Sequence, residues 1–494
     1  MSSFIHELRL VTTPKDEKIL NIIFELARFL YNAVLSEGLK RIKLIKESKK
    51  YTKAKKEKNY QLYNEINKFY DFSDYSLQKF AIKTKNRCNI KDHLDTHVCQ
   101  KIATRAYLAL DRFLKKRKGK PRYKSKNRFS SIEGKSNIAG LKFKNNKLYY
   151  KGLKLDVILD EKDLYNIQRH ALDRKIKYCR LIRRKIKNKT VFFLQLVLEG
   201  YPLIKEKNKS KDASVGLDIG PSTIAVVGDK FAKLQAFCDQ LIPYHLKQKN
   251  LQRKMDRSLR AMNKDNYNED GTIKKKNLKS FKKSKKYLKN EKIITEIYRK
   301  LKTYRKRMHC KLANEVIRLG KHIKTEKLSF KGFQKLWGKT INFRAPSLFL
   351  NILSQKAENA NGKIEYIDTK KTSLSQICHN CLKKEKKDLK TRWHRCKCGI
   401  EAQRDLYSAF LAKNTKDNIL DISQMKINWP SAHRLLEQAI LRLNQRAIGS
   451  NRLFSFGLNQ SQSSSLVKDR SIISDAKDVV GVSREPLRAC KYSC

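Results

Sequence analysis

The sequence predicts a multidomain α+β protein, and three observations carry that expectation. Strand-like alternation over residues 3–12 is followed by long helical periodicity and then by a β-rich stretch, so a small barrel interrupted by a helical module is expected first. Further on, strands alternate with helices, and single acidic side chains interrupt two of the strands. Two close cysteine pairs are inserted between the last of these strands and a helix that opens on a third acid. The expected order is a first barrel strand at 1–12, a helical module at 13–120 and the rest of the barrel at 121–205. A linker at 206–212 follows, then an α/β domain at 213–370 and 403–414 with the cysteine module inserted at 371–402. A tail occupies 415–494.

Length and charge bound the partners. A chain of 494 residues is long enough for several domains with cores of their own. Its 113 Lys and Arg against 47 Asp and Glu give a net charge of +66, spread over most of the chain. A field of that sign attracts polyanions, and nucleic acid is the commonest long one. No apolar run of about 20 residues and no signal peptide is evident, so a membrane is not expected as partner. Eleven cysteines in such a chain are expected to be reduced thiols. The seven outside the paired cluster (Cys88, Cys99, Cys179, Cys238, Cys310, Cys490 and Cys494) are read as buried small side chains or free thiols.

In chain order, SFIHELRLVT at 3–12 alternates as a strand. Pro14 and Asp16 open a helix with Ile19, Ile23, Leu26, Leu30 and Val34 at three- and four-residue steps. The lysine-rich stretch 40–58 reads as a solvated helix face. A further helix over about 96–117 carries Val98, Ile102, Ala106, Leu110, Phe113 and Leu114 on one side, and Gly119 with Pro121 stops it. In KKRKGKPRYKSKNRFSSI, 115–132, cations interleave with Tyr123 and Phe129. Lys120, Arg122, Tyr123, Lys124 and Arg128 are the candidate nucleic-acid contacts, phosphates on the cations and bases on the rings. The same stretch also reads as a basic loop entering a strand. GLKFKNNKLYYKG is a hairpin turning at its Asn-Asn-Lys, and YCRLIRRKIKNKTVFFLQLVLEG is a stronger one turning near Asn188.

VGLDIGPSTIAVVGD, 215–229, is a third hairpin. Asp218 lies inside its first strand, out of place unless it is paired or holds a cation. Gly216 and Gly220 beside it would let a bulky ligand approach the backbone. Residues 243–320 are basic with helical spacing, clearest in IITEIYRKLKTYRKRMHCKLANEVIRL, and are broken by the loop NKDNYNEDGTIKKKNLKS. KHIKTEKLSF, 321–330, is a strand interrupted by Glu326, and GKIEYIDT, 362–369, is another. Cys378 and Cys381 then form a C-x-x-C pair, and Cys396 with Cys398 a C-x-C pair. Four thiolates satisfy one tetrahedral Zn²⁺, although the C-x-C turn must be sharper than usual. Asp405 opens the helix carrying Leu406, Ala409, Phe410 and Leu411. An acid there also suits the helix dipole alone. Together, Asp218, Glu326 and Asp405 are what a two-metal nuclease site of the RNase H kind needs: two Mg²⁺ about 4 Å apart, one activating water and one stabilising the leaving oxygen. In the tail, SAHRLLEQAILRLNQRA is expected to form one helix after Trp429 and Pro430, and the serine-rich 449–494 to be disordered or loosely attached.

Six passages, in order from about residue 4 to 412, resemble one family: ARFLYNAVLSEGLKR, KGKPRYKSKNRFSSI, GLDIGPSTIAVV, TEKLSFKGF, SLSQICHNC with CKCG, and QRDLYSAFL. The chain is similar to TnpB, the RNA-guided nuclease of insertion-sequence transposons, and to its relatives, the miniature type V CRISPR effectors. The resemblance implies a RuvC nuclease core whose acidic residues match Asp218, Glu326 and Asp405. It implies a zinc-binding target-nucleic-acid-binding module, and a wedge barrel interrupted by a helical recognition domain. The C-x-C pair is shorter than the commoner C-x-x-C, and Gln403 stands where many members carry Asp. The implied activity is RNA-guided DNA cleavage beside a short target-adjacent motif, with two catalytic Mg²⁺ and one structural Zn²⁺. The implied partners are a structured guide RNA and double-stranded target DNA with its displaced strand, in a prokaryotic cytoplasm near the nucleoid. A nuclease-inactive RNA-guided repressor and a non-catalytic zinc-containing nucleic-acid binder are the rival readings.

Overall fold

In a computed structural model of the chain, residues 2–126, 128–187, 189–274, 278–388, 391–447 and 456 are described. The disorder expected over 449–494 therefore lies, Phe456 apart, outside the described residues, as do Asn188, Cys490 and Cys494. The chain divides into two compact units, Met1–Leu203 and Ile204–Cys494.

The first unit starts with β1 (Ser3–Leu10), followed by α1 (Pro14–Glu47). Thr13 and Asp16 close a reciprocal capping box around Pro14, which fixes the start of α1. The helix runs on into the lysine-rich stretch and stops at Ser48; α2 (Lys49–Glu57), α3 (Tyr60–Phe69), α4 (Asp74–Arg87) and α5 (Thr96–Leu114) follow. By length and composition α1 is apolar enough to cross a membrane, contrary to the reading that no such run exists. That apolar surface is used internally: Leu20, Ile23, Phe24, Ala27, Leu30 and Val34 are fully buried in the core of this unit.

The remaining strands are β2 (Ser131–Glu133), β3 (Lys142–Lys144), β4 (Lys147–Tyr150), β5 (Leu153–Ile158), β6 (Ile176–Ile186) and β7 (Lys189–Glu199), with α6 (Ile167–Leu172) before β6. Both expected hairpins form. Asn145 and Asn146 both take positive φ, the geometry that suits a two-residue turn to the twist of its strands. With β1 these strands make one antiparallel sheet in the order β2-β6-β7-β1-β5-β4-β3. Its two ends are not joined by a strand ladder, so the hydrogen-bonded barrel expected from the sequence does not close among the described residues. The end strands have three residues each, and the chain between them is irregular. Asn137 in that segment bridges the gap instead: its side chain exchanges hydrogen bonds with the backbone of Phe143 and accepts one from Cys179 Sγ at 3.2 Å.

In the second unit β8 (Ser214–Ile219), β9 (Thr223–Val227) and β10 (Ala232–Ala236) form an antiparallel meander, and α7 (Ile242–Met262) and α8 (Lys285–Leu319) follow. Next come β11 (His322–Glu326), α9 (Phe330–Arg344), α10 (Pro346–Asn359), β12 (Lys363–Ile367) and α11 (Thr369–Thr372). β11 is shorter than the expected 321–330, because Ser329 caps α9 by accepting from Gly332 N–H. The sheet order is β10-β9-β8-β11-β12, with β8, β11 and β12 parallel. The cysteine segment adds a small ladder, β13 (Trp393–Arg395) with β14 (Glu401–Gln403), ahead of α12 (Arg404–Lys413). A two-strand turn, β15 (Thr415–Lys416) and β16 (Ile419–Leu420), leads into α13 (Ile422–Ala447). α13 begins earlier than expected and runs through Pro430; Asp421 Oδ1 accepts from Gln424 N–H and supplies the early start. One face of the five-stranded sheet packs on α12 and α13, the other on α8 and α10.

Candidate metal and nucleic-acid sites

β8 is the central strand of this sheet, and α12 lies directly on it. A Cβ at Gly216 would fall 1.9 Å from the Ala409 carbonyl and 2.6 Å from Lys413 N, so only glycine allows the approach. The room at Gly216 is therefore filled by the helix and not by a ligand, which corrects the sequence reading. The same contact defines a face. Gly216 and Asp218 point alike along β8. The parallel register pairs Lys324 with Gly216 and Thr325 with Leu217, so Glu326, one step on, shares the face of Asp218. Both acids lie towards the carboxyl ends of adjacent parallel strands, on the side covered by α12, whose first turn carries Asp405.

Asp218 feels the other two carboxylates. Burial pushes Asp218 well above the usual carboxylate range, and the charges of Asp405 and Glu326 push it further; Arg404 and Arg392 oppose this. Burial also raises Glu326. Among the described residues neither the Asp218 nor the Glu326 carboxylate receives a hydrogen bond, while that of Asp405, 8% exposed, has only loose ion pairs to Arg404 at 3.5 Å and Arg392 at 3.9 Å. Hard oxygen donors, buried at Asp405 and half-buried at Asp218 and Glu326, and short of hydrogen-bond donors, are a set that suits Mg²⁺ with waters and phosphate completing its shell. The three do not close into a single tight cage. A pair of ions does not require one, because each ion takes its own subset.

The four cysteines do close. Among the described residues Cys378, Cys381, Cys396 and Cys398 are the group whose ligand atoms all lie within 4.8 Å of one another. Sγ–Sγ distances are 3.5 Å for Cys378–Cys398 and 3.4 Å for Cys381–Cys396. Tetrahedral Zn–S bonds of about 2.3 Å need edges of about 3.8 Å, so the set fits zinc. The sharp C-x-C turn is made by Gly399 at φ 89°: Gly399 N–H donates to the Cys396 carbonyl, and Cys396 N–H donates to Ile400 O. The Ile400 backbone holds the Cys398 thiol down to about 6, while burial raises Cys378, and burial with the neighbouring thiols pushes Cys396 up to about 12.

Several residues of this region have no clear sequence signal. Gln403 is fully buried and caps α12 by accepting from Leu406 N–H at 2.9 Å. Tyr407, 1% exposed, accepts from His379 N–H at 2.9 Å, and its Oη lies 2.8 Å from His379 Nδ1. The His394 ring stacks on Tyr407 at 4.3 Å. Burial holds both histidines down to about 4, so they are neutral near pH 7. Burial likewise raises the Tyr407 hydroxyl, which stays protonated and can donate to His379 Nδ1. Only the position of each histidine beside a cysteine pair hinted at this layer.

In the first unit, Lys120, Arg122, Tyr123 and Arg128 are exposed. Lys124 is half-buried. Its backbone exchanges hydrogen bonds with the Asn32 side chain at 2.8 and 2.9 Å, and its ammonium lies 5.8 Å from the centre of the Tyr31 ring. Phe129 is 2% exposed, packed near Tyr31 with the Arg105 guanidinium over its ring. That ring belongs to the core and cannot stack a base, a correction to the alternating-ring reading.

Residues 347–411 match the family described as "Cas12f1-like, TNB domain". The match spans all four cysteines and Asp405. No curated protein matches the chain. Among solved structures the chain is similar to one titled "Cryo-EM structure of the Cas12f1-sgRNA-target DNA complex", at 14% identity and a TM-score of 0.44, covering 83% of this chain and 98% of that one. It is also similar to one titled "Cryo-EM structure of CRISPR-Cas12f Ternary Complex", at 15% identity and a TM-score of 0.29, covering 82% and 83%.

Proposed function

We propose that this chain is an RNA-guided DNA endonuclease of the TnpB and miniature type V effector kind. The observation that carries the reading is the placement of Asp218 and Glu326 on one face of β8 and β11, covered by α12, whose first turn brings Asp405 directly downstream of a cysteine segment with its own family match. Ligands of open α/β sheets gather outside the carboxyl ends of the parallel strands, where Asp218 and Glu326 lie. The charge of +66 supplies the field for a guide RNA and a target duplex.

Asp218, Glu326 and Asp405 would hold Mg²⁺, which when bound supplies an activated water and charge stabilisation at the leaving oxygen. Arg392 and Arg404 flank Asp405 and would bring positive charge to a phosphate entering between the carboxylates. Cys378, Cys381, Cys396 and Cys398 would hold zinc structurally. Guide–target pairing would read sequence while the protein holds the heteroduplex by its backbone and recognises a short adjacent motif.

The test is a cleavage assay with the chain purified from cells that carry its native locus. Wild type is expected to cut DNA matched to the co-purified RNA only with Mg²⁺. Several kcal/mol of lost stabilisation, at tenfold per 1.4 kcal/mol, puts the loss in Asp218→Ala at about 10³-fold, with RNA binding kept. A variant that cuts like wild type, or that loses its RNA, would sink the assignment.

A further inference from the structure

Asp405 is the acidic residue whose position the sheet does not set. Its ion pairs are long, so its place follows from how α12 sits. One side of α12 is fixed by contact with Gly216. Residues two apart on a helix do not share a face, so Tyr407 points away from Asp405 and towards other elements. Both cysteine pairs hold it there. From the first pair, His379 directly follows Cys378 and hydrogen-bonds Tyr407 Oη through its backbone N–H and Nδ1. From the second, His394, two residues before Cys396, stacks on the ring with 28° between the planes. Trp429 of α13, edge-on at 5.6 Å, closes another side.

The two cysteine pairs are joined to each other by four thiols around one point. With zinc there, His379 and His394 are held at fixed separation, and Tyr407 fits between them in one orientation. Without it, each histidine follows its own loop, and the grip on α12 is released at the turn that carries Asp405. We propose that Tyr407 is a positioning residue that makes divalent-cation binding at Asp218, Glu326 and Asp405 depend on metal occupancy of the cysteine site. The inference rests on the reading of those carboxylates as a cation site. Coupling of this kind is reciprocal, so the cation tightens zinc binding by the factor that zinc tightens the cation.

Mn²⁺ alone is the probe, titrated into the full-length chain and followed by electron paramagnetic resonance, with zinc content measured on the same samples. Loss of an outer partner of a ligand lowers metal affinity about 10-fold to 100-fold. Tyr407→Phe is expected to lower Mn²⁺ affinity by about tenfold while keeping its zinc. Cys381→Ser, which removes a zinc ligand far from the carboxylates in sequence, is expected to lose zinc and lower Mn²⁺ affinity by the same factor. The double variant is expected to be no weaker than either. Unchanged Mn²⁺ affinity in Tyr407→Phe, or effects that multiply in the double variant, overturns the coupling. If Tyr407→Phe does not fold, Cys381→Ser decides alone: zinc lost with Mn²⁺ affinity kept overturns it. Asp218→Ala separates the two ideas. If it binds Mn²⁺ as wild type does, the carboxylate site itself is wrong, and the coupling falls with it.

Discussion

Gly216 and Asp218 share a face of β8 and bring opposite costs to it. Gly216 gives up side-chain packing so that α12 can touch the strand. Ala at 216 would set its methyl 1.9 Å from the Ala409 carbonyl, so backbone must move. Gly216→Ala is expected to cost about 3 kcal/mol or more, read as an earlier denaturant midpoint for the transition of the second unit. Asp218 is the reverse case, a carboxylate whose ionisation the fold resists. Because its folded pKa is raised, its stabilising contribution is full below the ordinary carboxylate range and is lost as pH rises through the raised value. Metal-free wild type should therefore lose melting temperature relative to Asp218→Asn as pH climbs from acid towards neutrality. Mg²⁺ should restore the wild type and leave the variant unmoved. Equal pH profiles for the two chains would mean that the site does not resist the charge.

Elements decide which charges are available to a ligand. The segment 115–132 is uniformly basic in sequence, yet the structure sorts it. Lys124 is clamped by Asn32, and Phe129 is sunk in the core, which leaves Lys120, Arg122, Tyr123 and Arg128 outside. Replacing Lys120, Arg122 and Arg128 together by Ala should weaken RNA binding at low salt. Because each neutralised phosphate contributes about 0.9 to the slope of log affinity against log salt on a duplex, the slope should shrink by about 2 to 3. An unchanged slope would place the RNA elsewhere. The cysteine segment is an element of another kind. Its strands, β13 and β14, have three residues each, too short for a core of their own. Chelating zinc should open residues 376–403 to protease while the first unit stays protected, since a structural zinc site contributes its folding energy directly.

At the scale of the molecule the charge dominates. With +66 on one chain, the nucleic-acid binding proposed above would owe much of its affinity to counterion release. A guide engaged through about 6 to 10 phosphates should bind 10³-fold to 10⁵-fold more weakly at 200 mM than at 50 mM salt. One RNA species retained through that change would be recognised by more than charge. A mixture of cellular RNA washed off completely would leave only a polycation. The two units each carry a separate core, so unfolding is expected in more than one step.

Asp218 and Glu326 drew notice in sequence because acids are costly inside strands, whereas Asp405 by itself suited an ordinary helix start, and it was the family resemblance that joined the three. The cysteines stood out because ligand spacing is local, and the hairpins because Asn-Asn and alternation act over a few residues. These are short-range rules, and the sequence alone determined what depends on them. It left the early start of α13 and the end of β11 misread, since each turns on a side chain reaching a backbone: Asp421 and Ser329. It also misjudged Gly216 and Phe129, whose roles depend on what packs against them from far along the chain. That Asp218 and Glu326 share a face is a matter of parallel register, and Tyr407 meets His379 and His394 from two loops far apart in sequence. Contacts of that range have no period to read, so only the tertiary structure decided them.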